Sequence, residues 1–84
     1  MPQRVNPRPL GYKKLLRRLE PYGVMEVPYR GKGSERMLVR PDPATGQGPR
    51  YFIACHGEHT MIGVRTIRAI LRRFAIDADQ FWSE

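Results

Sequence analysis

The order of its periodic segments constrains the fold of this 84-residue chain more than any other feature. The stretch "LGYKKLLRRLEPYG" carries apolar side chains at i, i+3, i+4 and i+7, which is one face of a helix. These are Tyr12, Leu15, Leu16 and Leu19. Pro21 predicts that this helix ends at Glu20, with Gly23 forming the turn. Near the other end, "VRTIRAILRRF" repeats the apolar spacing and predicts a second helix over 64–74, with Thr60 and Gly63 as start signals.

Three segments between the predicted helices are typical of β-strands. They are "VMEVPYR" (24–30), "RMLVR" (36–40) and "RYFIACH" (50–56), and the last is the richest in aromatic and β-branched residues. Pro28 favours an edge position for the first strand, and short Gly- and Pro-rich turns favour antiparallel neighbours. The sequence therefore predicts an α+β domain of order α-β-β-β-α, with two helices packed on one face of a three-stranded antiparallel sheet.

Length and terminal composition indicate one domain without a membrane segment. Pro2, Pro7 and Pro9 predict that residues 1–9 form a flexible N-terminal arm, so the domain is assigned to residues 10–84. No apolar run approaches the roughly 18 residues of a membrane span, and the first residues lack the apolar core of a secretory signal. Cys55 is the single cysteine, which excludes an internal disulfide and fits a reducing cytoplasm. We therefore expect a cytoplasmic protein with no membrane partner.

The charge balance points to a polyanionic partner. Fifteen Lys and Arg residues against eight Asp and Glu give a formal charge of +7, and most of these cations are arginines, which contact phosphates through two donors at once. Helical spacing places Arg65, Arg68 and Arg72 on one face, suited to RNA phosphates or to the acidic residues of a protein partner. A solvated face is the alternative for this stripe. The cations of the first helix, in "YKKLLRRL", are interpreted as solvated.

Two short stretches carry residues capable of binding or chemistry. "GKGS" (31–34) is a turn whose backbone N–H groups suit a phosphate, and Glu35 follows it directly. "CHGEH" (55–59) contains metal-ligand residue types, but zinc needs about four ligands. Adjacent strand residues such as Cys55 and His56 also point to opposite faces. We therefore predict no metal site and no cofactor.

Taken together in this order, the motifs resemble the HicA family of mRNA interferase toxins from bacterial toxin–antitoxin pairs. The features are the "KKLLRRLEPYGV" helix and turn, "GKGS" after the first strand, a strand ending in His-Gly at 56–57, and "IGVRTIRAILRRFAIDADQF". The resemblance implies a double-stranded-RNA-binding-domain-like fold, endoribonuclease activity and neutralisation by a HicB-type antitoxin. In the family a histidine taken to be catalytic follows the Gly-Ser, whereas this chain has Glu35.

The candidate catalytic residues are Glu35 and His56, with His59 as a replacement for either. Metal-independent RNA cleavage needs a base for the 2′-OH and an acid for the leaving 5′-oxygen. It also needs cations for the charge on phosphorus, and the candidate RNA-binding residues at the turn are Lys32, Gly33, Ser34 and Arg36. A glutamate serves as a base, although a weaker one than histidine. The alternatives are an inactive HicA-like domain that binds RNA and one that binds a protein partner, with Glu35 and His56 as surface residues.

Overall fold

The computed structural model describes residues 6–27, 35–57 and 59–83. Within them a short strand β1 (Leu10–Gly11) leads into helix α1 (Tyr12–Leu19), followed by a 3₁₀ turn (Glu20–Tyr22). Strands β2 (Met25–Val27), β3 (Glu35–Val39) and β4 (Arg50–Ala54) come next. The chain continues through β5 (Met61–Ile62), helix α2 (Val64–Arg73) and a short helix α3 (Ala78–Trp82). The predicted order α-β-β-β-α is confirmed, with β1, β5 and α3 added to it.

The central sheet is antiparallel with strand order β2-β3-β4. Glu26 lies opposite Leu38 in the first ladder, and Arg36 lies opposite Ile53 in the second. Because strand side chains alternate, Leu38 and Ile53 share one face, and both are buried. Phe52 belongs to the other face and is 50% exposed, so the helices cover one face of the sheet. This agrees with the α+β arrangement expected from the sequence.

One apolar core joins the helices to this covered face. From α1 come Leu15 and Leu19, and from α2 come Ile67 and Ile70, all fully buried. Leu16 is only partly buried and lies at the margin of the core, so the predicted α1 stripe is narrower than its four residues. The short terminal segment forms α3 and buries Phe81 and Trp82.

A two-stranded ladder joins the segment before α1 to the segment before α2. In it β1 pairs with β5 in antiparallel register, with Leu10 opposite Ile62, and the Tyr12 N–H donates to the Thr60 carbonyl at 2.9 Å. Of the predicted arm over residues 1–9, positions 6–9 are described, and the Arg8 guanidinium lies 5.8 Å from the centre of the Trp82 ring. The ladder thus fixes the loop before β5 against the start of α1.

The α1 region ends at a left-handed residue. Pro21 occupies the first turn of the 3₁₀ segment, where its missing N–H costs nothing, so helical geometry continues through Glu20 despite the following proline. Gly23 then adopts φ +82°, a conformation that favours glycine, and its N–H donates to the Glu20 carbonyl at 2.9 Å. The predicted turn at Gly23 is confirmed, and it aims the chain into β2.

Candidate nucleic-acid interface

A basic groove runs along the outer side of α1. Its volume is about 610 Å³, and it is lined by Gly11, Lys13, Lys14, Arg17, Arg18, His59 and Met61. The amphipathic pattern creates it, since burying Leu15 and Leu19 turns Lys13, Lys14 and Arg17 towards solvent. No carboxylate is among the described residues that line this groove. We call it the α1 groove; its positive walls are suited to a phosphate backbone.

His59 reaches the α1 groove through the pairing of β1 with β5. That pairing holds the turn before β5 beside the first turn of α1. Within the turn, the Thr60 N–H donates to the Gly57 carbonyl at 3.1 Å, and the Thr60 hydroxyl accepts from the His56 N–H at 3.1 Å. An exposed imidazole therefore lies among four cationic side chains, 40 or more positions away from them in the sequence.

Several of the other arginines hold the fold together. Arg40 donates to the Phe74 carbonyl at 2.6 Å, and Arg73 donates to the Arg50 carbonyl at 2.8 Å. Arg18 donates to the Phe81 carbonyl at 3.3 Å, which ties one wall of the α1 groove to α3. These hydrogen bonds fix the positions of three guanidinium groups, while Arg40 and Arg73 remain exposed.

The predicted arginine stripe lies on α2, where Arg65, Arg68 and Arg72 are all exposed. Its surroundings differ from those of the α1 groove. Arg68 and Arg72 border a pocket of about 320 Å³ whose other lining residues are mostly apolar: Pro7, Val64, Leu71, Ile76, Ala78 and Trp82. We call this the α2–α3 pocket. An apolar floor with two cations at its rim suits an apolar side chain next to a carboxylate.

Glu35 and His56 lie at the same end of the β3–β4 pair. Glu35 begins β3 opposite Ala54, and His56 follows Ala54 by two residues. Both side chains are exposed. Cys55, which directly precedes His56, is buried, and its thiol donates to the Gly57 carbonyl at 3.0 Å. No hydrogen bond between Glu35 and His56 is present among the described residues. His59 lies in the α1 groove.

The remaining turn residues predicted to contact RNA separate into two groups. Lys32, Gly33 and Ser34 lie outside the described residues. Arg36 is the second residue of β3, so it points to the helix-covered face while Glu35 points to the open one. The register therefore does not bring Glu35 and Arg36 to one phosphate from the same face of the sheet.

Arg36 instead belongs to a polar cluster under α1. The Tyr12 hydroxyl donates to Glu26 Oε1, and Arg36 Nη1 lies 3.7 Å from Glu26 Oε2. Burial of the phenol, together with its hydrogen bond to Glu26, raises the pKa of Tyr12 well above its usual range. Tyr12 was predicted as an ordinary core residue, and the cluster was missed. The signal for it was the isolated Glu26 between Met25 and Val27 in an otherwise apolar strand.

The described ranges contain no group of three or more His, Cys, Asp or Glu side chains arranged to hold a metal ion. Across the same ranges, no helix has both the length and the apolar character needed to cross a bilayer.

The α1 groove was also missed by sequence reasoning. The charged face of α1 was visible as Lys13, Lys14, Arg17 and Arg18, but such faces are usually solvated. The pairing that adds His59 joins strands of two residues each, and two residues are too few to show the alternation of a strand. The sequence did contain a signal for it, because four cations stand within six residues in a region with few acidic residues.

Comparisons with protein-family models, with curated proteins and with solved structures each found no match to this chain.

Proposed function

We propose that this protein is a HicA-like endoribonuclease toxin that binds single-stranded regions of mRNA and is neutralised by a HicB-type antitoxin in the cytoplasm. The resemblance of the ordered motifs supports the family. The two helices on one face of a three-stranded antiparallel sheet are compatible with the double-stranded-RNA-binding-domain-like fold of that family. The charge of +7 supports an anionic partner.

The observation that carries RNA binding is the α1 groove. Three exposed cations, Lys13, Lys14 and Arg17, line one continuous cleft together with Arg18 and His59, and no described acid interrupts it. Backbone phosphates bind such surfaces through the release of counterions, so affinity must fall with salt. Single strands bind basic grooves of this kind through their phosphate backbone.

The cleavage step follows from chemistry that needs no metal. A base takes the proton from a 2′-OH, the 2′-oxygen attacks phosphorus, and the P–O5′ bond breaks. An acid then protonates the departing 5′-oxygen, leaving a 2′,3′-cyclic phosphate and a 5′-OH end. Glu35 is the proposed base and His56 the proposed acid, since both are exposed at one end of the β3–β4 pair. His59 in the α1 groove is the substitute for either.

The α2–α3 pocket is the surface proposed for the antitoxin. Its apolar floor, which includes Leu71 and Trp82, is unsuited to phosphates and suited to an inserted side chain. Arg68 and Arg72 at its rim suit a carboxylate of the inserted segment. Binding of RNA and of the antitoxin would then rest on different helices.

The test is a cleavage assay on labelled single-stranded RNA with the purified chain and three variants. We expect products with 2′,3′-cyclic phosphate ends that form in the presence of a chelator. Glu35→Gln and His56→Ala should each abolish cleavage while retaining RNA binding. Cleavage that survives both changes and is lost in His59→Ala would transfer the chemistry to the α1 groove. Binding without cleavage by the wild type would establish the alternative, an inactive RNA-binding relative, which the glutamate at position 35 favours.

A further inference from the structure

A third and smaller pocket lies between α1 and the strands β2 and β3. Its volume is about 260 Å³, and it is lined by Tyr12, Lys13, Leu16, Glu26 and Arg36. Pockets for drug-sized ligands span roughly 300–1,000 Å³, so this one suits a single flat ring system rather than a larger ligand. We call it the Glu26 pocket. Leu16, partly buried at the margin of the core, gives it an apolar wall.

The polar groups of the Glu26 pocket are held in place by contacts with one another, but they retain unused hydrogen-bonding capacity. The Tyr12 hydroxyl donates to Glu26 Oε1 and so orients the carboxylate. Arg36 Nη1 is 3.7 Å from Glu26 Oε2, which is beyond hydrogen-bonding distance, so each group can still bind a third molecule. Arg36 Nε is buried and has no hydrogen-bond partner among the described residues. A buried donor without a partner is costly, so the Arg36 guanidinium is not saturated by the described residues.

We propose that the Glu26 pocket binds a guanine base of single-stranded RNA. The Watson–Crick edge of guanine presents two adjacent donors, N1–H and the 2-amino group, beside the acceptor O6. The Glu26 carboxylate accepts from the two donors, and the Arg36 guanidinium donates to O6. Adenine, cytosine and uracil each offer only one donor group on this edge, so one carboxylate oxygen would lose its partner.

The Glu26 pocket neighbours the α1 groove, since Lys13 lines both. A strand whose phosphates follow the groove can therefore turn one unstacked base towards Glu26, and single-stranded RNA is read in this way by other binding domains. The guanine inference rests on the proposed RNA binding. It adds the base preference, which neither the charge nor the groove supplies, because phosphates carry no sequence information.

The experiment measures binding of fluorescent RNA ten-mers that carry 2′-fluoro groups and so cannot be cleaved through a 2′-OH. All have an adenine background and one central guanine, inosine, cytosine, uracil or adenine. We expect guanine to bind about 10-fold tighter than adenine, the size of a good base contact. Inosine, which lacks the 2-amino group, should fall between the two.

Two variants and a matched control assign the preference to the Glu26 pocket. Glu26→Gln replaces one acceptor oxygen by a donor, so it should remove the advantage of guanine while binding to the all-adenine strand persists. Arg36→Lys retains the charge but loses the guanidinium fork and should reduce the same advantage. Glu20→Gln makes the same chemical change at an exposed carboxylate of the 3₁₀ turn and should leave the preference unchanged. Thermal melts identify a variant that fails to fold. In that case the remaining folded variant decides whether the guanine preference depends on the Glu26 pocket.

The outcomes separate the two levels of the proposal. Equal binding of all five ten-mers, or tighter binding of cytosine, overturns the guanine inference and leaves RNA binding standing. A guanine preference that survives in folded Glu26→Gln and Arg36→Lys overturns the assignment to this pocket. No binding of any ten-mer at low salt overturns the proposed RNA binding itself.

Discussion

The two long helices resemble each other in sequence and differ in what surrounds their charges. Each buries one apolar stripe and exposes cations on its outer side. The cations of α1 line the α1 groove together with Gly11, His59 and Met61, whereas Arg68 and Arg72 of α2 border a pocket that also contains Leu71 and Trp82. Charge alone therefore does not decide which partner a basic helix suits, because the side chains beside the cations also contact that partner.

The largest expected effect tests whether the buried side chains of α1 and α2 contribute equally to the free energy of unfolding. Leu15→Ala and Ile67→Ala each remove a fully buried side chain, so each should lower the free energy of unfolding by about 2–5 kcal/mol. Leu16→Ala is the matched control on α1, since Leu16 is only partly buried and should cost less. Chemical denaturation measures all three. An equal loss of stability in Leu16→Ala and Leu15→Ala would mean that Leu16 is buried as deeply as Leu15.

The next prediction compares the cations of the two helices. Lys14→Gln with Arg17→Gln removes two charges from the α1 groove, while Arg68→Gln with Arg72→Gln removes two from the α2–α3 pocket. If two phosphate contacts are lost, the slope of log affinity against log salt should become shallower by about 1.4, at about 0.7 per contact on a single strand. We expect this only for the α1 pair, measured by titration of labelled RNA. A larger change for the α2 pair would reverse the assignment of the two surfaces.

The inner faces of the helices also differ, because that of α1 contains a buried phenol and the buried residues of α2 are apolar. Burial and the bond to Glu26 raise the pKa of Tyr12, so the folded state keeps its proton where the unfolded state loses it. Stability from this group is full below the ordinary pKa of about 10 and decreases above it, by about 1.4 kcal/mol per pH unit. Denaturant titrations between pH 9 and pH 11 should show this decrease in the wild type.

Tyr12→Phe is the control for that decrease. It removes the titrating group, so its stability should change less with pH above pH 10 than that of the wild type. At neutral pH the variant also loses one hydrogen bond, which costs about 0.5–1.5 kcal/mol. Parallel curves for the two proteins across this pH range would contradict a raised pKa for Tyr12.

The smallest effects concern the residues that follow the two helical segments. Both adopt left-handed backbone, with φ +82° at Gly23 and φ +55° at Ala75. A side chain costs about 1–2 kcal/mol in that conformation, so Gly23→Ala should destabilise the protein and Ala75→Gly should stabilise it by a smaller amount. Thermal melts should then shift in opposite directions. Shifts in the same direction would show that the two ends are not equivalent.

The local sequence pattern predicted most of the fold because helices and strands each produce a short-range periodicity of apolar residues. The stripes that include Leu15 and Ile67 identified both helices, and the run from Arg50 identified β4 within two residues of its end. Pro21 correctly predicted the end of α1, which finishes at Leu19 with Glu20 as its C-cap before the chain changes to 3₁₀ geometry. The pairing of β1 with β5 was not predictable, because two-residue strands are defined by their tertiary neighbours alone.

The candidate site was less predictable than the fold for the same reason. The sequence identified Glu35 and His56 as candidate residues, and the register brings both to one end of the β3–β4 pair. The α1 groove and the Glu26 pocket each combine residues from distant segments, such as Lys13 with His59 and Tyr12 with Glu26. Sequence spacing gives no information on such meetings until the packing of the helices on the sheet is known.

The pairing of β1 with β5 has a consequence for the order of events during protein synthesis. Leu10 pairs with Ile62, and the core that receives α1 also receives Phe81 and Trp82 from the last helix. A nascent chain that has emerged only through its N-terminal half therefore carries the cations of α1. It still lacks His59 and the later residues, Phe81 and Trp82, that complete the core under α1. The α1 groove therefore requires synthesis to have passed β5, and the core beneath it requires α3, so α1 alone does not form the groove.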